Sequence, residues 1–365
     1  MKKLDWYILK KFLSTFFFAI ALLTVIAVVI DISEKTDDFV KSKLGFSGIL
    51  TQYYFGFIPH IIALLFPLFI FIAVIFFTSK MAGRSEIIAI LASGTTYNRW
   101  LRPYFIGGIL LGGLLWYGNQ YVIPRAQEIR TSFEARYIDA QSSYEAVKGG
   151  KRGKDIYFKV DSLTPAGILS YDTASKTGGP FFMNKLKGIH IIENTRAESL
   201  NWDTAKRKWV LQNVVTRTID SLKETVVMEP QKIMNFNFKP FDLKRDDYAK
   251  NKLTSPELER YIQLEEQRAS EGLNELKVEL YKRDATPFAV LLLTLIGAFV
   301  AGRKIRGGSG AHLALGVATA VTFVVTDRFS TIFSTKGGLD PLLAAWIPNI
   351  VFCFVAFYIY KKAPK

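Results

Sequence analysis

The sequence has little of the chemistry that metal sites and disulfide-stabilised domains need. Of its 365 residues, one is cysteine and three are histidine. The single cysteine, Cys353, excludes a disulfide bond within the chain. The histidines, His60, His190 and His312, lie far apart and lack metal-ligand spacing, so we expect each to be structural and no metal to bind.

The sequence also lacks the short motifs of nucleotide hydrolysis and nucleophilic catalysis. It contains no Gly-x-x-x-x-Gly-Lys-Ser/Thr loop, so this chain cannot hydrolyse ATP by that route. It has no Gly-x-Ser-x-Gly elbow either. We therefore assign no catalytic residue to this chain.

What the sequence does contain is long hydrophobic runs. Half of its residues are hydrophobic, and 29 are phenylalanine. Six stretches approach the roughly 20 residues that a helix needs to cross a bilayer. They are residues 12–30, 58–77, 104–122, 285–301, 311–326 and 342–360. The sequence therefore predicts a membrane protein with two groups of three transmembrane helices.

The basic residues are arranged with respect to these hydrophobic stretches. A net charge of +15 suits a nucleic-acid partner, but the Lys and Arg residues cluster beyond alternate ends of the hydrophobic stretches. The clusters lie at residues 2–11, 80–102, 303–306 and 361–365. By the positive-inside rule all four clusters are cytoplasmic. We therefore expect both termini to be cytoplasmic and the domain between stretches three and four to be external. We expect no nucleic-acid partner. The first stretch is too long for a signal peptide and lacks a cleavage site, which predicts an uncleaved anchor.

The segment between stretches three and four has soluble composition. Short β-branched or aromatic runs separated by turn residues predict an antiparallel β domain over residues 124–250, with a hairpin at residues 197–211. Thr254 and Glu257 have the spacing of a capping box, followed by leucines at helical spacing. These features predict a helical connector over residues 251–284, with a break near Gly272.

Two further patterns concern helix contacts. Small residues recur four apart at Gly108 and Gly112, at Gly297 and Ala301, and at Gly316 and Ala320, which permits close packing within the chain or with a partner. The loop at 84–94 places Ile87, Ile88, Ile90 and Leu91 on one ridge of a short helix that ends at Gly94. Such a helix either docks a cytosolic partner or lies on the membrane surface.

At this loop, Arg84-Ser-Glu86 and Ala92-Ser-Gly94 resemble the coupling helix of the LptF/LptG permease family. These permeases are the membrane subunits of the ABC transporter that extracts lipopolysaccharide from the bacterial inner membrane. Three other segments agree with the family: Leu4–Phe12, Ile123–Arg125, and Gly338–Pro341 together with Ala344–Asn349. The resemblance covers nearly the whole chain. The segments Asp31–Phe39 and Trp346–Asn349 are more similar to G-type than to F-type members.

The resemblance implies an α-helical membrane protein of the bacterial inner membrane, with six transmembrane helices (3 + 3) and a periplasmic β-jellyroll domain between helices 3 and 4. It implies domains at 1–123, 124–250, 251–284 and 285–365, the third being the helical connector. The implied partners are an F- or G-type permease, an LptB ATPase dimer that uses ATP and magnesium, LptC, and an LptA-like periplasmic bridge. The resemblance thus implies that this chain is not an enzyme and binds no cofactor of its own. The implied substrate is lipopolysaccharide.

The resemblance also implies two sets of site residues. The ATPase-coupling set is Arg84, Glu86, Ile87, Ile90, Leu91 and Gly94. The candidate contacts to lipid phosphates are Lys35, Lys41, Lys43, Arg125, Arg130 and Arg136, each of which could instead be an ordinary solvated charge.

Two other functions compete with export. A stand-alone envelope scaffold or ligand-binding membrane protein would have the same topology and would not depend on the cytoplasmic loop. An ion-coupled carrier needs acidic residues near the bilayer midplane, whereas Asp31 and Asp327 lie only at the ends of the predicted spans. The carrier is therefore disfavoured.

Overall fold

The structure, a computed structural model, describes residues 3–139, 156–161, 163–172, 175–204, 206–220, 223–236, 238, 240, 249–268, 272–302 and 309–362. The chain divides into two compact units. The first, which we call the helical unit, comprises Met1–Ile138, Lys250–Leu258 and Asn274–Lys365. The second, the β unit, comprises Asp139–Ala249 and Glu259–Leu273.

The helices follow the hydrophobic stretches of the sequence. In chain order they are α1 (Lys3–Lys41), α2 (Phe46–Ile49), α3 (Phe55–Gly83), α4 (Glu86–Ala92), α5 (Tyr97–Tyr117), α6 (Ile123–Phe133), α7 (Ala249–Lys252), α8 (Ser255–Arg268), α9 (Leu273–Ala301), α10 (Ser309–Gly337) and α11 (Pro341–Lys362). Three π-helical turns, at Leu50–Tyr54, Gly118–Val122 and Glu134–Asp139, extend these helices.

Among the described residues, five helices are long and apolar enough to cross a membrane. They are α1, the continuous run Phe46–Gly83, α9, Ala314–Gly337 of α10, and α11. The third predicted stretch, 104–122, lies on α5 and the π-helical turn after it, which is not one of the five. Arg99, Arg102 and four glycines make α5 less apolar than the other helices. The helical organisation is confirmed, and the sixth crossing stays a prediction.

The core of the helical unit is built from large aromatic side chains packed against small residues. Phe12, Phe71 and Tyr104 are completely buried in one cluster that α1, α3 and α5 share. A Cβ atom at Gly108 would lie 2.8 Å from Leu291 Cδ1 of α9, and one at Gly316 would lie 2.2 Å from Ile75 Cδ1 of α3. These close approaches join helices of the same chain, which resolves the choice that the small-residue pattern left open.

The β unit contains an antiparallel sheet with nine strands in the described part of the chain. The strands are β1 (Ile156–Asp161), β2 (Thr164–Ile168), β3 (Tyr171–Asp172), β4 (Thr177–Gly178), β5 (Phe181–Lys187), β6 (His190–Ala197), β7 (Ser199–Asp203), β8 (Lys208–Asp220) and β9 (Lys223–Met234). Their order is β1-β2-β5-β6-β8-β7-β4-β3, and β9 pairs with β8. One face carries an apolar cluster around Phe181, Leu200 and Trp209.

The predicted hairpin is confirmed by the pairing of β7 with β8, in which Trp202 lies opposite Trp209. The hairpin was predicted over residues 197–211, but its second strand, β8, continues to Asp220. Pairing with β9 is interrupted only at Asn213, which has a φ of 51°. The residue opposite is Pro230, which has no N–H to donate, so the ladder skips one step and then resumes.

The Glu257 half of the predicted capping box is confirmed. The backbone N–H of Thr254 donates to Glu257 Oε2 at 2.9 Å, and the Thr254 hydroxyl donates to the same oxygen at 2.6 Å. The first of these bonds satisfies the Thr254 N–H, which would otherwise lack an intrahelical partner. Gly272 has a φ of +85° directly before α9, which then runs without a break from Leu273 to Ala301.

Candidate functional site

The loop between α3 and α5 folds as a tight helical turn. Helix α4 has seven residues, and its N-cap, Ser85, adopts the left-handed conformation at a φ of 57°. The N–H of Ala89 donates to Ser85 O at 3.0 Å, and the N–H of Gly94 donates to Leu91 O at 3.1 Å. Gly94 has a φ of +84°, a conformation that glycine adopts without strain, and this ends the helix.

The predicted apolar ridge of α4 is divided between two faces. Ile87 is 2% exposed and belongs to the main core of the helical unit, and Ile90 and Leu91 pack against the same core. Ile88 is 52% exposed and points away from it. Three of the four ridge residues therefore anchor α4 to its own chain, so the surface that a partner can contact is narrower than predicted.

The charged residues of this loop lie at its N-terminal end. Arg84 Nη1 is 3.9 Å from Glu86 Oε1, and the two side chains are 64% and 31% exposed. An exposed pair at this distance contributes roughly 0–1 kcal/mol. Both groups are consequently available to exchange this contact for one with another molecule.

A second polar site joins α1 to the π-helical turn that precedes α3 and to the one that follows α6. Lys35 Nζ donates to Glu134 Oε1 at 3.0 Å and to the Tyr53 hydroxyl at 2.5 Å, and it lies 3.7 Å from Asp31 Oδ1. Tyr53 and Tyr54 donate to the two Asp31 oxygens at 3.0 and 3.1 Å. These contacts satisfy both oxygens of the Asp31 carboxylate, which is 7% exposed.

Arg130 completes this polar cluster. Its Nε lies 3.6 Å from Glu134 Oε1, and the two side chains are 15% and 13% exposed. An aromatic layer surrounds the site, in which Phe133 lies 5.2 Å from Tyr53 and 5.9 Å from Phe39 between ring centroids. With two acidic and two basic side chains, the cluster has no net formal charge.

Gly56 allows α3 to come close enough to α6 for these contacts. A Cβ atom at this position would lie 2.3 Å from the carbonyl oxygen of Ala126 and 2.7 Å from the backbone nitrogen of Arg130. Backbone atoms cannot move aside as a flexible side chain can. Only glycine therefore permits the observed spacing between the two helices.

Comparison with protein families identifies the chain. A family model described as lipopolysaccharide export system permease LptF/LptG matches residues 6–362. The chain belongs to the LptF/LptG permease family. It is accordingly a multi-pass protein of the inner membrane and a membrane subunit of the lipopolysaccharide export system. The family model covers both types, so the G-type assignment stays a prediction. A comparison with curated proteins found no match.

In this LptF/LptG permease the six predicted phosphate contacts fall into two groups. Lys35 and Arg130 belong to the polar cluster and face carboxylates of their own chain. The other four side chains are exposed and have no ion pair within the described residues: Lys41, Lys43, Arg125 and Arg136. A phosphate that reached Lys35 would have to displace Glu134, whereas the four exposed residues are available without rearrangement.

Sequence reasoning missed the carboxylates and tyrosines of this permease's polar cluster. One signal was present, because Asp31 with Lys35 and Arg130 with Glu134 are opposite charges four residues apart on helices. Nothing local in the sequence indicated that the two pairs would meet, since they lie about 100 residues apart along the chain.

Proposed function

We propose that this chain is the permease half of an ABC transporter whose energy comes from a separate ATPase. In this proposal it pairs with a second F- or G-type permease, binds an LptB dimer on the cytoplasmic side, associates with LptC, and passes lipopolysaccharide to an LptA-like bridge. The family match over residues 6–362 carries the proposal. The β unit faces the periplasm and both termini are cytoplasmic, as the distribution of basic residues supports.

The coupling step is assigned to α4. Ile87, buried in the same core as α3 and α5, ties this short helix to the adjoining spans. A partner that binds Glu86 and Ile88 and changes conformation on nucleotide binding therefore moves α4, and the packing of Ile87 transmits this movement to α3 and α5. The coupling is reciprocal: the state of the spans also changes the affinity of the ATPase for this loop.

The substrate contacts are assigned to exposed cations at the C-terminal end of α1, at the start of α6 and in the π-helical turn that follows α6. Lys41, Lys43, Arg125 and Arg136 present long basic side chains that form charge-assisted hydrogen bonds with phosphate oxygens. Lys35 and Arg130 are assigned a supporting role, because their contacts are to Glu134 rather than to solvent.

The test is copurification from native membranes in mild detergent, with ATPase activity measured on whatever copurifies. We expect an ATPase to accompany the wild-type chain and to be lost or uncoupled in Glu86→Arg. The control is Glu128→Arg, because Glu128 is an exposed acidic residue on α6, distant in sequence from the coupling loop. Retention in the control with loss in Glu86→Arg supports the coupling role.

The alternative function is a stand-alone envelope scaffold or ligand-binding membrane protein. It predicts no copurifying ATPase and no effect of a charge reversal at Glu86. If the wild-type chain never brings an ATPase with it, this alternative replaces the export proposal.

A further inference from the structure

The start of α5 and the end of α11 meet through polar and aromatic side chains. The Tyr360 hydroxyl donates to Asn98 Oδ1 at 2.7 Å, and the rings of Tyr360 and Tyr97 lie 6.3 Å apart between centroids. Tyr97 and Asn98 begin α5, and Tyr360 is in the last turn of α11. The residues next to these three in the sequence are therefore brought to one place on the helical unit.

This contact gathers basic residues that have no role in the proposed coupling or substrate contacts. Arg99 and Arg102 lie in the first two turns of α5, and Lys361 and Lys362 end α11. We call these four residues the α5–α11 basic patch. Arg102 and Lys361 are exposed, and neither they nor Arg99 form an ion pair within the described part of the chain. The patch therefore carries positive charge that an anion can balance.

The two lysines of the α5–α11 basic patch lie against aromatic rings of their own helix. Lys361 Nζ is 4.8 Å from the centre of the Phe357 ring, and Lys362 Nζ is 4.5 Å from that of Tyr358. Both ammonium groups thus point back along α11, a helix apolar enough to cross a membrane. Aromatic side chains at the end of such a helix favour the level of the lipid headgroups. The ammonium groups are therefore at the level where the phosphates of a bilayer lie.

Exposed apolar side chains continue from the patch along both helices. On α5, Phe105 and Ile109 follow Arg102 at helical spacing and are 46% and 51% exposed. On α11, Phe357 lies one turn before Lys361 and is 57% exposed. A molecule that covers both the basic and the apolar side chains must be amphipathic. A phospholipid meets this requirement, whereas an acidic protein surface would leave the apolar side chains uncovered.

We infer that the α5–α11 basic patch binds the anionic headgroup of a membrane phospholipid, with Arg102 and Lys361 in contact with its phosphate. The guanidinium of Arg102 presents a planar set of donors that matches phosphate oxygens, and Lys361 supplies a compact charge. In the orientation proposed above this lipid belongs to the cytoplasmic leaflet, whose surface potential is negative. Only this sidedness rests on the proposed function, because the patch itself involves neither the coupling helix nor the exported substrate.

Native mass spectrometry of the purified full-length chain tests this site. The chain, in mild non-ionic detergent, is titrated with phosphatidylglycerol, which has an anionic headgroup, and separately with phosphatidylcholine, which has a zwitterionic one. We expect the wild-type chain to bind phosphatidylglycerol about tenfold more tightly than phosphatidylcholine. The double substitution Arg102→Gln/Lys361→Gln should lower the affinity for phosphatidylglycerol about tenfold, because it removes two charge-assisted hydrogen bonds to phosphate.

The matched control is Lys10→Gln/Lys11→Gln, which removes two charges from exposed lysines of α1. A Cβ atom at Gly107 of α5 would lie 2.5 Å from Phe12 Cε1 and 3.1 Å from Leu9 Cδ1. Because Leu9 and Phe12 face α5, the helical period turns the two lysines between them away from it. The control should bind phosphatidylglycerol as the wild type does. Equal affinities for the two lipids, or equal effects of the two double substitutions, would overturn the inference.

An acidic surface of a partner protein is the competing ligand for the patch. If Arg102→Gln/Lys361→Gln reduced copurification of the ATPase and left phosphatidylglycerol binding intact, the patch would bind protein and the lipid inference would be wrong. We expect the opposite result, in which lipid binding falls and the ATPase copurifies as with the wild type. Copurification and its sensitivity to Glu86→Arg are measured separately, so a failure of the lipid inference is distinguishable from a failure of the export proposal.

Discussion

The polar cluster of Asp31, Lys35, Arg130 and Glu134 provides the sharpest quantitative prediction. Replacing Glu134 with alanine removes the carboxylate that Lys35 meets at 3.0 Å and Arg130 faces at 3.6 Å. A hydrogen bond to a charged group contributes about 1.5–3 kcal/mol, and breaking a fully buried pair costs about 3–5 kcal/mol. Asp31 remains 3.7 Å from Lys35 and the site is partly open, so we expect Glu134→Ala to lower the free energy of unfolding by about 2 kcal/mol.

The assay is unfolding of the full chain by SDS titration in mixed micelles, followed by circular dichroism. A double-mutant cycle with Lys35→Met should give a coupling energy of about 1 kcal/mol, since the two side chains are in direct contact. Lys41→Gln is the matched control, an exposed lysine at the end of the same helix, and should change stability by less than about 0.5 kcal/mol. The reasoning is refuted if Glu134→Ala matches this control, or if the two cluster substitutions are additive.

Three further predictions concern packing and capping. Gly56→Ala should prevent the close approach of α3 to α6, so the variant should no longer elute as a monodisperse protein in size-exclusion chromatography. Gly45→Ala is the control, because no atom lies within 4 Å of the added Cβ, and it should elute as wild type does. Normal elution of both variants would contradict the close-approach argument. Ile87→Ala should lower the free energy of unfolding by about 2–4 kcal/mol in the same SDS titration, because Ile87 is buried. Ile88→Ala should lower it by less than about 0.5 kcal/mol, because Ile88 is exposed. Equal effects of the two substitutions would refute the assigned faces of α4. Glu257→Ala should cost about 1 kcal/mol and increase hydrogen exchange of the Thr254 amide, because the Thr254 N–H donates to the Glu257 carboxylate; unchanged exchange there would count against the capping bond.

Much of the fold could be predicted from the sequence because its signals are local. The hydrophobic runs predicted helices at all six stretches, and the turn between Trp202 and Trp209 predicted the hairpin. The spacing of Thr254 and Glu257 predicted an N-terminal cap for α8, and Thr254 donates two hydrogen bonds to the Glu257 carboxylate. In each case the determining residues lie within about one element of each other along the chain.

The site was less predictable because its contacts are between distant segments. The pattern at Ile87, Ile88, Ile90 and Leu91 correctly indicated a helix, but periodicity cannot tell whether an apolar face packs on its own chain or on a partner. Likewise, a lysine such as Lys35 that follows a transmembrane segment looks like a surface cation until Glu134, 99 residues away, is brought against it. Tertiary contacts decide both cases.

The central claim, that this permease transmits ATP energy to lipopolysaccharide, is tested most directly by reconstitution. The complex containing this chain is placed in proteoliposomes with lipopolysaccharide, and transfer to a soluble β-jellyroll acceptor is measured with and without ATP. The account predicts ATP-dependent transfer by the wild-type complex and its loss in Glu86→Arg, with the assembled complex still containing the permease chain. Transfer that is independent of ATP, or that Glu86→Arg leaves unchanged, would contradict it.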